Sequence, residues 1–283
     1  MPIIEKLMNR NPNPRYKRLR YGLLDTQYLS TIPSMVAVSS MNCTQLYPRL
    51  SLTLSYPKTQ AETPHQKDMG APFVLPRVAS IEEPLRLAVL ISGGGSGLSS
   101  LLSFQSSEPR CHRTVLVIAD SHNAGGLEHG RSAGIDTMGI PLPRGLQSTE
   151  RRLAHESMIL DQLKSSGVEL VVLSGYMRIL TPSFVEIWKG RLLNIHPSLL
   201  PAFPGAHAHR DALAAGVKTT GCTVHLVDEG VDSGPILAQR EVRILPGDDE
   251  ESLQNRVKKV EHTLYPAIID LLCSGGVSLE VLG

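Results

Sequence analysis

Residues 85–102 constrain the fold of this chain more than any other stretch of its sequence. Leu85–Ile91 is a short apolar run, and Ser92–Gly97 follows it with four glycines in six positions. Three leucines at helical spacing come next: Leu98, Leu101 and Leu102. This order predicts a buried strand, a glycine turn and a helix, which together form the first unit of a parallel α/β sheet.

Apolar runs and helical segments continue to alternate after this unit. The further predicted strands are Thr114–Ala119, Asp136–Ile140, Leu170–Leu173, Arg191–His196, Cys222–Val227 and Ile236–Ile244. The further predicted helices are Gly126–Gly134, Thr149–Ser165 and Glu250–Leu272. Alternation of this kind predicts the α/β class, as a doubly wound, mostly parallel sheet with helices on both faces and a Rossmann-like N-terminal half.

The first 84 residues lack this alternation. Residues 1–68 hold nine Lys and Arg against four Asp and Glu, and show no sustained helical or strand period. We predict a poorly structured extension over residues 1–84 and a catalytic domain over residues 85–283. A disordered segment or an upstream start before Met69 is favoured, because acidic residues weaken the case for a transit peptide. A small accessory module is the third alternative.

Composition limits the kinds of partner that this protein is expected to bind. The net charge is +1, and the four cysteines are scattered without a CxxC pair. No apolar run approaches the roughly 20 residues that span a bilayer. We therefore expect neither a nucleic-acid nor a membrane partner, and a reducing, cytoplasmic location. Organelle import would follow only if residues 1–68 were a transit peptide.

The glycine turn Ser92–Gly97 suits an anion. Exposed N–H groups and the positive end of a helix dipole attract a phosphate there, although a tight turn without a ligand would have the same composition. No Gly-Lys-Ser/Thr follows, so the turn is not a Walker A loop. Asp120, near the end of the second strand, keeps dinucleotide binding open.

A second group of chemically active residues lies between positions 194 and 235. Asn194, His196 and Asp232 can together stabilise an oxyanion and move protons at a carbonyl carbon. No Gly-x-Ser-x-Gly nucleophile elbow is present, so covalent acyl chemistry is not indicated. Three histidines offer nitrogen ligands, but their spacing matches no common zinc site and we predict no metal. They are His207, His209 and His225.

Residues 194–237, together with Leu173–Leu180, Val260–His262 and Tyr265-Pro266, closely resemble the phosphoribosylglycinamide formyltransferase family of purine biosynthesis. The resemblance covers about residues 87–272. It implies formyl transfer from 10-formyltetrahydrofolate, as co-substrate, to the amine of glycinamide ribonucleotide. It also implies a monomer or weak homodimer.

The resemblance assigns roles to individual positions. Asn194, His196 and Asp232 correspond to the family's catalytic trio. The positions implied to bind the ribonucleotide are Gly94, Gly95, Ser96, Gly97 and Glu261. Arg152 corresponds to an arginine near the formyl group. The positions implied to hold the folate are Met177, Arg178, Ile179, Leu180, Asp228 and Val231.

The sequence departs from the family's usual pattern at two positions, and two other functions are alternatives to formyl transfer. Gly94 and Gly97 stand where the family commonly carries asparagine, so the loop is expected to bind phosphate through its backbone. Formyltetrahydrofolate hydrolase shares the catalytic residues, but residues 1–84 show no βαββαβ pattern for its regulatory domain. A non-catalytic nucleotide-binding protein could share the fold, yet the intact trio argues against it.

Overall fold

The computed structural model describes residues 52–57 and 73–282. The strands are β1 (Leu52–Pro57), β2 (Leu85–Ile91), β3 (His112–Ala119), β4 (Asp136–Gly139), β5 (Leu170–Leu173), β6 (Leu192–His196), β7 (Thr219–Leu226), β8 (Ile236–Arg243) and β9 (Val277–Leu282). The helices are α1 (Ser96–Ser107), α2 (Leu127–Ser132), α3 (Ser148–Ser165), α4 (Pro182–Ile187), α5 (Ala208–Ala214) and α6 (Glu250–Cys273).

Seven of these strands form one sheet in the order β4-β3-β2-β5-β6-β7-β8. The first five positions are parallel, and β7 and β8 add an antiparallel edge. The chain runs outward from β2 through β3 to β4, and then crosses back to add β5 and β6 on the other side of β2. The strand order therefore reverses between β2 and β5. The predicted α/β class and mostly parallel sheet are confirmed, and the reversal creates the crevice in which such sheets bind ligands.

Both faces of the sheet are covered. Along β2, Val89 and Ile91 pack into one core with α1 and α6, while Ala88 and Leu90 pack into a second core with α3 and α4. Every second residue therefore faces the same helix layer, and both sets are buried. This explains why the strand is a continuous apolar run in the sequence.

Two short helices were not predicted. Helices α4 and α5 are six and seven residues long, and neither shows an apolar period in the sequence. The sequence does carry a start signal for α4, a threonine followed by a proline. In the structure the Thr181 side chain accepts from Phe184 N, and Pro182 occupies the first turn.

Most of residues 1–84 lie outside the described part of the chain, so the predicted extension stays a prediction. One stretch of the extension, strand β1, is described: it pairs in parallel with β9, apart from the main sheet. Residues 73–84 follow the domain surface without regular structure, where Phe73 and Leu75 pack against the core. In the part of the chain that the structure describes, no helix is long and apolar enough to cross a membrane.

Candidate active site

Strand pairing places two of the predicted catalytic residues side by side. Asn194 and His196 are two residues apart on β6, so their side chains leave the same face of the sheet. The antiparallel register sets Asn194 opposite His225 and His196 opposite Thr223 on β7. The sequence offered these residue types, but it could not give their register.

Asp232 completes the group from the connection between β7 and β8. Its carboxylate oxygen Oδ2 lies 3.3 Å from His196 Nδ1, and its Oδ1 lies 3.5 Å from Asn194 Nδ2. Gly205 N also donates to Oδ2 over 2.8 Å. The Asp232 backbone has φ 52°, a left-handed conformation that non-glycine residues adopt rarely and mainly in tight turns. The three predicted catalytic residues therefore converge on one carboxylate.

The imidazole of His196 is held from both sides. Its Nε2 donates to the carbonyl of Phe203 over 2.8 Å, while Nδ1 faces Asp232. The ring is 5% exposed, so it presents its edge to the site from a largely dehydrated position.

His225 is a member of the site to which the sequence assigned no role. Its Nδ1 donates to the Leu226 carbonyl over 3.0 Å, and its Nε2 accepts from Asn194 Nδ2 over 3.2 Å. Burial lowers the pKa of His225, opposed by this backbone hydrogen bond and by the charge of Asp232. A neutral His225 with its proton on Nδ1 leaves Nε2 as an acceptor, which orients the Asn194 amide.

The remaining histidines are not gathered as metal ligands. In residues 73–278, no group of three His, Cys, Asp or Glu side chains is close enough to hold a metal ion. His209 is buried at the start of α5, and burial lowers its pKa.

The glycine loop runs from β2 into α1 at the same edge of the sheet. Gly95 has φ 68°, and a Cβ there would lie 2.7 Å from the Gly126 Cα. No other residue could therefore replace Gly95 without moving the backbone. Gly94 faces open space, whereas a Cβ on Gly97 would collide with Ser174 Oγ. Ser174 therefore occupies the space that a side chain at position 97 would need.

A cleft of about 340 Å³ opens beside this loop. The residues that line it are Gly94, Ser96, Ser99, Ser100, Ser103, His129 and His262. His129 Nε2 lies 3.1 Å from the Gly94 carbonyl oxygen, and His262 Nε2 lies 3.2 Å from Ser96 Oγ. Neither imidazole was predicted as a site residue, although His262 lies in the motif that carried the resemblance.

Glu261 lies one residue before His262 on α6. Burial raises its pKa to about 7, and the charge of Lys258 acts in the opposite direction. One turn later, Tyr265 donates to the Leu173 carbonyl over 3.0 Å and fixes this part of α6 against the end of β5. Glu261 is therefore held close to the carboxyl edge of the sheet, where the glycine loop also lies.

The predicted folate residues occupy two exposed loops. Met177 N donates to Ser92 Oγ over 2.8 Å, which ties residues 177–180 to the glycine loop. Asp228 Oδ1 accepts from Gly230 N and Ser233 Oγ, so it shapes the turn that carries Asp232. Val231 is 60% exposed on that turn. Arg152 is exposed in α3.

A doubly wound sheet with an Asn–His–Asp group and a glycine loop at its carboxyl edge defines a class of group-transfer protein without a covalent nucleophile. The sequence profile of the formyl transferase family matches residues 85–269. The chain belongs to this family, and the resemblance is confirmed.

Individual relatives fall into two kinds. The chain is 46% identical over 194 residues to the trifunctional purine biosynthetic protein adenosine-3 of Drosophila pseudoobscura pseudoobscura, covering 68% of this chain but 14% of that protein. It is 36% identical over 196 residues to phosphoribosylglycinamide formyltransferase of Escherichia coli, covering 69% of this chain and 91% of that enzyme.

A solved structure agrees with these relatives. The chain superposes on glycinamide ribonucleotide transformylase 1 from Symbiobacterium toebii with a TM-score of 0.64 and 43% sequence identity. The match covers 68% of this chain and 89% of that one. The chain thus spans less than a fifth of the trifunctional relative, but nearly the whole of the single-domain enzymes.

Proposed function

We propose that this protein transfers the formyl group of 10-formyltetrahydrofolate to the amine of glycinamide ribonucleotide in purine biosynthesis. The observation that carries the proposal is the convergence of Asn194 and His196 on the carboxylate of Asp232. Similarity to phosphoribosylglycinamide formyltransferase along 91% of the Escherichia coli enzyme supports the choice of substrates.

The chemistry follows from these three groups. The amine nitrogen of the ribonucleotide attacks the formyl carbon, and the carbonyl oxygen takes up the electron pair to give a tetrahedral intermediate. His196 and Asn194 face Asp232 only at 3.3 and 3.5 Å, and on substrate binding these two groups exchange that contact for the oxyanion and donate to it, in a site where water is largely excluded. Asp232 accepts the proton that the amine loses, directly or through water, and the folate nitrogen receives a proton as it leaves. None of the three is a nucleophile of the Ser or Cys type, so transfer is direct.

The two substrates would bind in different parts of the crevice. The phosphate would bind the backbone N–H groups of Gly95–Gly97, with His129 and His262 beside it in the cleft. Glu261 would accept hydrogen bonds from the ribose hydroxyls. The pterin would bind between residues 177–180 and the turn at residues 228–231, with Arg152 approaching the formyl end. Binding both substrates together supplies the proximity that direct transfer needs.

A spectrophotometric assay of folate product release tests the proposal, with 10-formyltetrahydrofolate in the presence and absence of glycinamide ribonucleotide. Turnover only with the ribonucleotide is expected. Turnover with water alone would assign the chain to formyltetrahydrofolate hydrolysis instead. No turnover from a folded sample with either acceptor would make it a binding protein on the same fold. A cytoplasmic location and a monomer or weak homodimer remain part of the proposal.

A further inference from the structure

An ion pair between Arg178 and Asp120 spans the carboxyl end of β2. Asp120 directly follows β3, and Arg178 lies in the loop after β5; these strands are the two neighbours of β2 in the sheet. Arg178 Nε donates to Asp120 Oδ2 over 2.6 Å, and Asp120 is 9% exposed. The pair therefore crosses the strand end from which the glycine loop begins.

The segment that carries Arg178 is fixed at its two ends. Met177 N donates to Ser92 Oγ over 2.8 Å, and Thr181 N donates to Glu156 Oε1 over 2.8 Å. Between these points the backbone is neither helix nor strand, and Met177 and Ile179 are 66% and 69% exposed. Arg178 thus provides a third attachment, in the middle of an otherwise exposed segment.

This attachment is strong for a surface loop. A hydrogen bond between two charged groups is about twice as strong as a neutral one, and the carboxylate of Asp120 is largely removed from solvent screening. The contact occupies the Oδ2 atom of the carboxylate on which the dinucleotide alternative depends.

We propose that Asp120 is a positioning residue for the folate: by holding Arg178, it fixes the shape of residues 177–180 before the pterin binds. The inference rests on the proposed function, in which this segment lines the pterin pocket. A preorganised loop loses less conformational freedom when the ligand arrives, so the effect falls on folate affinity. Asp120 and the trio lie at the ends of β3 and β6, with β2 and β5 between them, so the chemical step is left intact.

Substitution of Asp120, with folate affinity measured separately from turnover, tests the inference. Calorimetric titration gives the Kd of a 10-formyl-dideazafolate analogue, and steady-state kinetics give kcat and both KM values. We expect D120A to raise the folate Kd and KM about tenfold, because one charge-assisted hydrogen bond is lost. The ribonucleotide KM and kcat should stay within about twofold. D120N keeps an oxygen acceptor for Arg178, so its effect should be smaller.

Two controls separate positioning from general damage. E128A removes an exposed carboxylate that pairs with Arg131 over 3.4 Å on α2, and it should leave the folate Kd unchanged. In the R178M background, D120A should add no further loss of folate affinity. An unchanged Kd in D120A, or an equal loss for both substrates with a lowered Tm, would overturn the inference. A wild-type protein that binds the analogue without transferring formyl would refute the proposed function alone, and the Kd series would still decide the role of Asp120.

Discussion

Two histidine–aspartate pairs of equal length occupy opposite ends of the sheet. His196 ends β6 at the carboxyl edge, and its Nδ1 lies 3.3 Å from Asp232. His112 begins β3 at the amino edge, and its Nε2 lies 3.3 Å from Asp270 on α6. The distance between imidazole and carboxylate therefore does not distinguish the proposed catalytic pair from a structural one.

Their surroundings do distinguish them. Asp270 is 2% exposed, also faces Arg110 at 3.7 Å, and lies within a closed cluster in which the Phe104 ring stacks on His112. Asp232 instead lies on a turn with positive φ, and its neighbours open onto the crevice of the sheet. A closed, buried cluster can only stabilise the fold, whereas a pair that includes a residue of an exposed turn can accept a substrate.

The sharpest test of this contrast is removal of His196. We expect H196A to lower kcat at least about 100-fold, because one donor to the oxyanion is lost. Folate binding should change little, since the pterin is expected to contact residues 177–180 and 228–231 rather than His196. Single-turnover kinetics with a parallel titration of folate would measure both. Wild-type turnover in this variant would end the assignment of the trio.

The second prediction concerns the opposite pair. D270N removes the buried carboxylate that Arg110 and His112 face. Arg110 keeps its ion pair with Glu108, so the loss of folding free energy should lie at or below the about 3–5 kcal/mol that breaking a buried ion pair costs. Urea unfolding should show this loss, while kcat per folded molecule stays near wild type. A variant of normal stability with impaired kcat would contradict the division between the two ends of the sheet.

The contrast also shows what could be predicted from the sequence. The strands were predictable because β2 and β5 are apolar runs buried on both faces. Asn194, His196 and Asp232 were predicted from the polar residues between positions 194 and 235 and from the family resemblance. His225 received no role because its contact with Asn194 depends on antiparallel register. The tie between Asp120 and Arg178 joins residues 58 positions apart, and no local pattern reports a contact of that range.

Glu261 provides the third test, because it is a buried carboxylate of the site that lacks the close ion pairs of Asp270. Its pKa is raised from 4.5 to about 7, so the folded protein favours the protonated form, and stability from this group is lost as pH rises through that window. Ribose hydroxyls need the ionised acceptor. The ribonucleotide KM should therefore rise about tenfold between pH 8 and pH 6.

E261Q serves as the matched variant for this pH dependence. It should raise the ribonucleotide KM at pH 8 and flatten its change with pH, leaving the folate KM unaltered. It should also be more stable than wild type at pH 8, since no charge is then buried. A KM profile that keeps its slope in E261Q would assign the titration to another group in the cleft, with His262 as the first candidate.

The smallest effects are expected at the N-terminal extension. Arg77 contacts Glu169 through two hydrogen bonds of 2.6 and 3.1 Å, but both side chains are about a third exposed. An exposed pair of this kind contributes about 0.2–1 kcal/mol. R77A should therefore lower Tm slightly and leave kcat unchanged.

Truncation separates this pair from the residues before it. Deletion of residues 1–68 should leave kcat and both KM values within about twofold of wild type, and Tm within a few degrees. The reason is that the β1–β9 pair is separate from the seven-stranded sheet. Deletion of residues 1–84 should cost more stability, since it also removes Phe73, Leu75 and Arg77 from the domain surface. Activity and thermal unfolding of both truncations would measure the difference. A folded but inactive 1–68 deletion would instead make the extension part of the catalytic apparatus, and the boundary at residue 85 would have to move toward the N-terminus.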